Sequence, residues 1–365
     1  MQYLRTYNNG KKEPIMTIQS MKRRQFLQLS AFSAGFHYSG ASAETNQEKN
    51  PSLLQPIRGS WFEFQHCWAH ESGYWDAACA AFSCEQWKQK IHEIAELGMK
   101  YLVLLSVAQD GKTFYSSKLF PSWPLNCPDP LDAVLTAADE VHLKFFISGG
   151  FFDEKIGVLA GAEGTKKRLQ AMQELVERYG QHESFYGWYW PNEASLNPYF
   201  EDNFIRYCNE TSAEARRLTP HAKILIAPYG TRKTVNDDHF ARQLDNLNVD
   251  IIAYQDEVGV RKTRVEELDA IFARLRNIHD RVPRVALWAD MEIFDFEGDT
   301  YKSNLIPAPF SRIQNQLAAI SPHVDTILVY QYQGMMNKPG SSAFAGHPDS
   351  TKLYDDYRNW LKKSY

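Results

Sequence analysis

The 365-residue sequence contains no run of about 18 apolar residues, which excludes an ordinary membrane-spanning helix. It has no basic surplus. Forty Lys and Arg stand against 44 Asp and Glu, a formal charge of −4, whereas a protein that neutralises phosphates needs cations in excess. Nucleic acid is therefore not an expected partner. Cysteine is scarce and odd in number: Cys67, Cys79, Cys84, Cys127 and Cys208 suggest neither a disulfide framework nor a zinc spacing. His66 and His70 are four apart but follow a strand pattern and lack an obvious third ligand, so no metal is expected. Neither a Gly-x-Ser-x-Gly elbow nor a phosphate-binding P-loop occurs, and no cofactor is expected.

What is present begins with an export pattern. Lys22-Arg23-Arg24-Gln25-Phe26-Leu27 carries a twin arginine, residues 29–38 are modestly apolar, and Ala41-Ser42-Ala43 supplies small residues before Glu44. These are the three parts of a bacterial signal, here of the twin-arginine type that carries folded proteins. Residues 1–43 are thus expected to be a signal segment, with Met16 and Met21 as alternative starts and a disordered basic tail as the plainer reading. Residues 44–55 read as a polar linker and 56–365 as a single domain. The expected location is periplasmic or secreted, with no membrane contact beyond export.

From there the chain has one rhythm. Segments 57–66, 100–107, 143–151, 185–192, 223–229, 250–255, 284–291 and 326–331 are rich in β-branched and aromatic residues. Amphipathic patterns such as 85–97, 131–141, 166–179 and 265–278 lie between them. The strand starts are 27 to 43 residues apart, the spacing of βα units. Gly98 and Gly180 stand where helices end, and Pro130 opens a helical turn after Asp129. Eight such units predict a (β/α)8 TIM barrel. A doubly wound sheet would place a glycine-rich turn after its first strand, but the sequence there is Glu63-Phe64-Gln65-His66-Cys67-Trp68. The longest connections, 67–83, 108–128, 293–308 and 332–349, follow strands, which puts them at the end of a barrel where active sites form.

Carboxyl groups at strand ends are the candidate chemistry. The fourth strand ends Trp190-Pro191-Asn192-Glu193 and the seventh Trp288-Ala289-Asp290-Met291-Glu292. Two carboxyl groups flanking an anomeric carbon cleave a glycosidic bond, and a retaining mechanism needs them about 5–5.5 Å apart. Alternation on the seventh strand turns Val285, Leu287, Ala289 and Met291 toward the helices, and Ala286, Trp288, Asp290 and Glu292 inward. On the sixth, the same reasoning turns Ile251 and Ala253 outward and Ile252, Tyr254 and Asp256 inward. Asn192 and Glu193 cannot both face the mouth unless the fourth strand bulges.

This placement resembles clan A retaining glycoside hydrolases. Carried over, the resemblance implies Glu193 as acid/base, Glu292 as nucleophile, Asn192 on a sugar 2-hydroxyl and Tyr254 donating a hydrogen bond to Glu292. The phrases His182-Glu183-Ser184-Phe185-Tyr186-Gly187-Trp188-Tyr189, Ala253-Tyr254-Gln255-Asp256-Glu257-Val258-Gly259 and Trp288-Ala289-Asp290-Met291-Glu292-Ile293-Phe294 also resemble a bacterial family of unknown function grouped with glycosidase-like TIM barrels. The strand-eight end, Tyr330-Gln331-Tyr332-Gln333, lacks the tryptophan common in clan A, which leaves Tyr332 or Trp190 as the sugar platform.

The expected activity is a retaining glycoside hydrolase acting on an oligo- or polysaccharide. Glu193 should be held protonated, and Glu292 should be kept ionised by Tyr254. Each residue also has a plainer role. Glu193 is alternatively a helix cap, and Glu292 the partner of a loop arginine such as Arg312. Asp256 is a sugar ligand, a catalytic acid or a structural group. Glu63 and Gln65 hold sugar hydroxyls or form a polar layer, and Trp68 and Trp288 are platforms or packing. Two other readings stay open: a non-catalytic carbohydrate-binding barrel, and an enzyme using Asp256 or Asp290 as its base.

Overall fold

A computed structural model describes residues 54–152 and 158–365. The proposed signal segment and nearly all of the linker lie outside the described residues.

Eight parallel strands alternate with eight main helices. The strands are β1 (Gly59–Phe62), β2 (Tyr101–Leu104), β3 (Lys144–Ser148), β4 (Phe185–Trp190), β5 (Lys223–Ile226), β6 (Ile251–Gln255), β7 (Ala286–Glu292) and β8 (Thr326–Tyr330). They close in the order β1-β8-β7-β6-β5-β4-β3-β2, so this is a (β/α)8 TIM barrel. The helices are α1 (Cys84–Glu96), α2 (Pro130–Glu140), α3 (Ala162–Tyr179), α4 (Asp202–Leu218), α5 (Asp238–Asn246), α6 (Leu268–His279), α7 (Phe310–Ile320) and α8 (Ser350–Ser364).

Local chemistry sets their ends. Ser83 and Gln86 exchange side-chain and backbone hydrogen bonds in a capping box that starts α1. The Asp129 carboxylate accepts from Asp132 N with Pro130 in the first turn of α2, and Asp237 accepts from Phe240 N at the start of α5. Past α1, Gly98 takes φ +75°, a conformation that costs a side chain dearly, and the chain turns straight into β2. Gly180 ends α3 without that conformation; a Cβ there would stand 2.5 Å from the Val176 carbonyl.

Two apolar layers follow from strand alternation. Trp61, Val103, Phe146, Tyr189, Leu225, Ile251, Ala253, Trp288 and Leu328 fill the barrel, while Phe62, Leu104, Ile147, Trp188, Ile226, Ile252, Tyr254, Leu287 and Met291 pack under the helices. The β7 phase is as expected. The β6 phase is the reverse: Ile251 and Ala253 point inward, and Tyr254 points out. Register explains it, because Ala253 pairs with Trp288 and Gln255 with Asp290, and register partners in parallel strands face the same side.

A disulfide joins Cys84 at the start of α1 to Cys127 in the loop after β2, Cα–Cα 4.9 Å. This corrects the expectation of no disulfide; the pair is brought together by the fold from positions 43 apart.

Candidate active site

The carboxyl end of the barrel gathers the acids. Glu292 closes β7 on its inward face, above Asp290 and Trp288, and is 4% exposed. One carboxylate oxygen accepts from Val260 N at 2.8 Å. Its main chain is held more firmly than its side chain: Glu292 N donates to Asp256 Oδ1 (3.1 Å), and its carbonyl accepts from Arg312 (3.0 Å) and Gln316 (3.0 Å). Arg312 thus bonds the backbone of Glu292 and the Asp295 carboxylate. Burial, followed by the charge of Asp256, pushes Glu292 well above the usual carboxylate range.

Both carboxylate oxygens of Asp256 are engaged by the protein. Oδ1 accepts from Glu292 N and Val258 N, and Oδ2 from Gln316 Nε2 at 2.7 Å. Burial lifts it to about 6, against the pull of those donors. It keeps the end of β7 in place. Asp290 differs: it is buried, its Oδ1 has no hydrogen-bond partner in the protein, and burial with the charges of Glu292, Asp256 and Glu193 drives it up.

Strand β4 ends at Trp190, and no bulge forms there; the register irregularity lies at its start, between Phe145 and Phe146 on β3. Residues 191–194 leave the barrel as coil and pair with the chain after β5 through Tyr229 N to Ala194 O (2.9 Å) and Leu196 N to Tyr229 O (2.9 Å). This exit brings Glu193 beside Gln255 at the end of β6. Asn192 is 2% exposed with neither amide atom hydrogen-bonded to protein. Such a group costs about 1–3 kcal/mol unless a ligand completes it. Glu193 is half-buried, and burial raises it to about 7, opposed by a hydrogen bond from Gln255 and the charge of Lys262. The charges of Glu193 and Glu292 both bear on Asp290 and on the Tyr301 hydroxyl.

Beside them, β1 leads into a buried ionic clamp. His66 Nδ1 donates to both Glu63 oxygens at 3.0 Å, and Nε2 donates to Glu71 Oε2 at 3.2 Å. Burial opposes charging the ring, but Glu63 and then Glu71 outweigh it and raise His66 to about 10. Trp75 Nε1 (3.0 Å) and Gln331 Nε2 (2.6 Å) also bond Glu63, and the Tyr330 hydroxyl lies 3.2 Å from His66 Nδ1. Cys67 sits nearby as a thiol, its pKa driven up by burial and the Glu63 charge. Among the described residues no group of three or more His, Cys, Asp or Glu is arranged to hold a metal, and no helix is long and apolar enough to cross a membrane.

Residues 57–343 match the family described as Domain of unknown function (DUF4434). The chain belongs to that family. No curated protein matches the sequence. Solved structures that resemble this DUF4434 barrel include a Bacteroides thetaiotaomicron protein provisionally named an alpha-L-fucosidase, at TM-score 0.66 and 18% identity over 85% of this chain and 96% of that one. The endo-beta-1,4-mannanase of Thermotoga petrophila follows at 0.54 and 10%, covering 85% and 77%. A beta-galactosidase from Marinomonas ef1 gives 0.53 and 9%, covering 84% and 60%. At such identities the likeness establishes the fold.

Several residues expected at the site of the DUF4434 domain lie elsewhere. Tyr254 does not approach Glu292; on the reversed face of β6 its hydroxyl bonds His279 Nε2 at 3.0 Å under α6. Trp190 points to the helices, stacks on Trp188 at 6.0 Å and donates to Ser212 Oγ of α4. Tyr332, past the end of β8, is buried between Tyr354 of α8 and Lys90 of α1. Trp288 does face inward, but in the layer at the strand starts, 4.8 Å from the Tyr101 ring. Glu63 is saturated by His66, Trp75 and Gln331, and Gln65 ties its loop by donating to the carbonyls of Phe64 and Asp76. These are polar-layer roles, as is that of Asp256. Trp68 remains half-buried on the loop after β1. Gln255, Tyr301, Lys262 and the pairing of His66 with Glu63 are not among the expected site residues; the polar end of β6, the long aromatic loop after β7 and the run Glu63-Phe64-Gln65-His66 are their traces in the sequence.

Proposed function

We propose that the protein is a retaining glycoside hydrolase acting on an oligo- or polysaccharide, with Glu193 as acid/base and Glu292 as nucleophile. The observation that carries this reading is Asn192, a buried amide with no protein partner, set beside a half-buried glutamic acid raised to about 7. The TIM-barrel neighbours, named for action on fucosides, mannans and galactosides, support the same class. Glu193 gives its proton to the glycosidic oxygen while the Glu292 carboxylate attacks the anomeric carbon and the C–O bond breaks. Water then attacks that carbon, passing a proton to Glu193 and releasing Glu292. Asn192 bonds a sugar hydroxyl, and Trp68 offers an apolar face to the ring.

The proposed mechanism needs one proton between the two acids, on Glu193, and its pH limits belong to the pair. Activity is lost as pH rises and removes the Glu193 proton near 7, and it is lost as pH falls and protonates Glu292. The expected profile is a bell. Export by the twin-arginine route is part of the proposal, supported by the Cys84–Cys127 disulfide, which suits an oxidising compartment.

Glu193→Gln and Glu292→Gln should each lower turnover by a factor of about 10³ or more with unchanged circular dichroism. Near-normal turnover in both defeats the assignment. The elevated Glu292 also favours a second reading, a barrel that binds glycans without cleaving them. Glycan binding by the wild type with no product in that pH range would establish it.

A further inference from the structure

At the amino end of the barrel, opposite the acids, the strand starts form a basic cleft. We infer that this cleft is a second binding site, for an acidic sugar of a glycan, with the sugar carboxylate on Arg58, Lys100 and Lys144 and its ring against Tyr101.

Register puts the cations together. Arg58 precedes β1, Lys100 precedes β2 and Lys144 opens β3. Their main chains are bonded in succession: Lys100 N donates to Arg58 O (2.6 Å), and Lys144 N to Lys100 O (2.9 Å). Neighbouring strands lie about 4.8 Å apart, so three exposed cations stand side by side on one rim. They repel one another, and among the described residues no carboxylate pairs with any of them. The nearest acids are already engaged. Asp325 accepts from Arg276 (3.0 Å) and Leu287 N (2.9 Å), and Asp250 from Arg216 (2.9 Å) and Ile224 N (2.8 Å). A bound anion would relieve the repulsion, and Arg58 can take a carboxylate through two parallel hydrogen bonds.

The same residues border a cavity of about 570 Å³, which Tyr101 and Asp325 also line. That is the size of a small-molecule site and more than a lone ion needs. One side of it is aromatic. Tyr101 faces inward on β2 and packs against Trp288 at 4.8 Å. The irregular register at the start of β4 leaves Tyr186 as an extra residue turned to the barrel interior, 6.0 Å from Tyr101. The Lys144 ammonium lies 4.6 Å from the Tyr186 ring and 5.5 Å from that of Tyr101. Those rings hold the cation in place without cancelling its charge.

This mixture fits a sugar acid better than a chain of phosphates. A uronate brings one carboxylate per ring for the cations, hydroxyls that can donate to Asp325, and a C–H face for the half-exposed Tyr101 ring. A polyphosphate has nothing for the ring and is repelled by Asp325.

Isothermal titration of the full-length chain with trimers of galacturonate, glucuronate and mannuronate tests the inference, each trimer beside its methyl ester, which keeps the sugar and removes the charge. At least one trimer should bind, and its ester at least tenfold more weakly. Arg58→Gln alone, and Lys100→Gln with Lys144→Gln, should each lower that affinity at least fivefold with unchanged circular dichroism. Asn192→Ala, at the other end of the barrel, should leave it within twofold. Binding of no trimer, equal binding of trimer and ester, equal binding of tripolyphosphate, or an affinity that the rim variants leave unchanged would each overturn the inference. None of these titrations reads cleavage, so the hydrolase proposal stands or falls separately.

Discussion

Replacing His66 with Gln tests whether the clamp beside the mouth is a charged one. The ring is almost fully enclosed, with Glu63 oxygens at 3.0 Å and Glu71 at 3.2 Å. Moving an imidazole from 6.5 to about 10 corresponds to about 5 kcal/mol of differential interaction, an upper bound because the carboxylates relax when the charge leaves. The folded value lies above the unfolded one. The stabilisation is therefore complete below pH 6.5 and is lost as pH rises through about 10. Urea unfolding followed by tryptophan fluorescence at pH 6, 8 and 10 reads it directly. At pH 6 the variant should be about 3–5 kcal/mol less stable, since Glu63 and Glu71 are left buried without their cation. The difference between wild type and variant should shrink toward pH 10, other titrations cancelling in the comparison. A difference that does not change with pH would show that the ring is neutral and the reasoning wrong.

Tyr254→Phe should leave turnover within about twofold while costing about 1–3 kcal/mol in unfolding, because buried His279 Nε2 loses its donor. A large fall in kcat at unchanged stability would return Tyr254 to the site. Asp256→Asn removes a charge that bears on Glu292, so Glu292 ionises more readily and the acid limb of the pH–rate profile should move to lower pH; an unmoved limb refutes the coupling. The double variant Cys84→Ser, Cys127→Ser releases a 43-residue closure and should cost about 4 kcal/mol by chain entropy, measured by denaturant melt. A melt matching wild type would show that the loop after β2 is held by packing alone.

The barrel was legible because its signal is periodic: eight strand-like segments at βα spacing survive errors in any one of them. The β7 phase was legible for a different reason. Asp290 and Glu292 mark one face as polar, so only one orientation suits an apolar helix layer. Strand β6 has no such mark before Gln255, and with Ile251, Ile252 and Ala253 buried on both faces, alternation cannot choose. Alternation alone therefore puts Tyr254 on the wrong side, and Asp256 with it. The aromatic run of β4 posed the same problem. Tyr189 went into the barrel and Trp188 and Trp190 outside, a choice made by packing against α4. The His66 clamp depends on Trp75 and Gln331 meeting at β1, contacts no local pattern records.

The raised Glu292 bears directly on how such a site works. Its carboxylate receives one backbone donor, while the firm bonds go to its main chain, so position is fixed without stabilising the charge. Had Tyr254 reached it, as the clan A resemblance implied, the anion would rest comfortably and gain less when a reaction begins. In the proposed reaction the sugar becomes oxocarbenium-like, and positive charge appears next to the carboxylate only near the transition state. A buried anion that is poorly solvated beforehand gains most from that charge, which is the differential binding that accelerates a step. The same isolation that penalises the anion in the ground state therefore strengthens Glu292 at the moment of bond breaking. Asp256 adjusts both effects together, because its charge penalises the Glu292 anion while its oxygen holds the end of β7 in place.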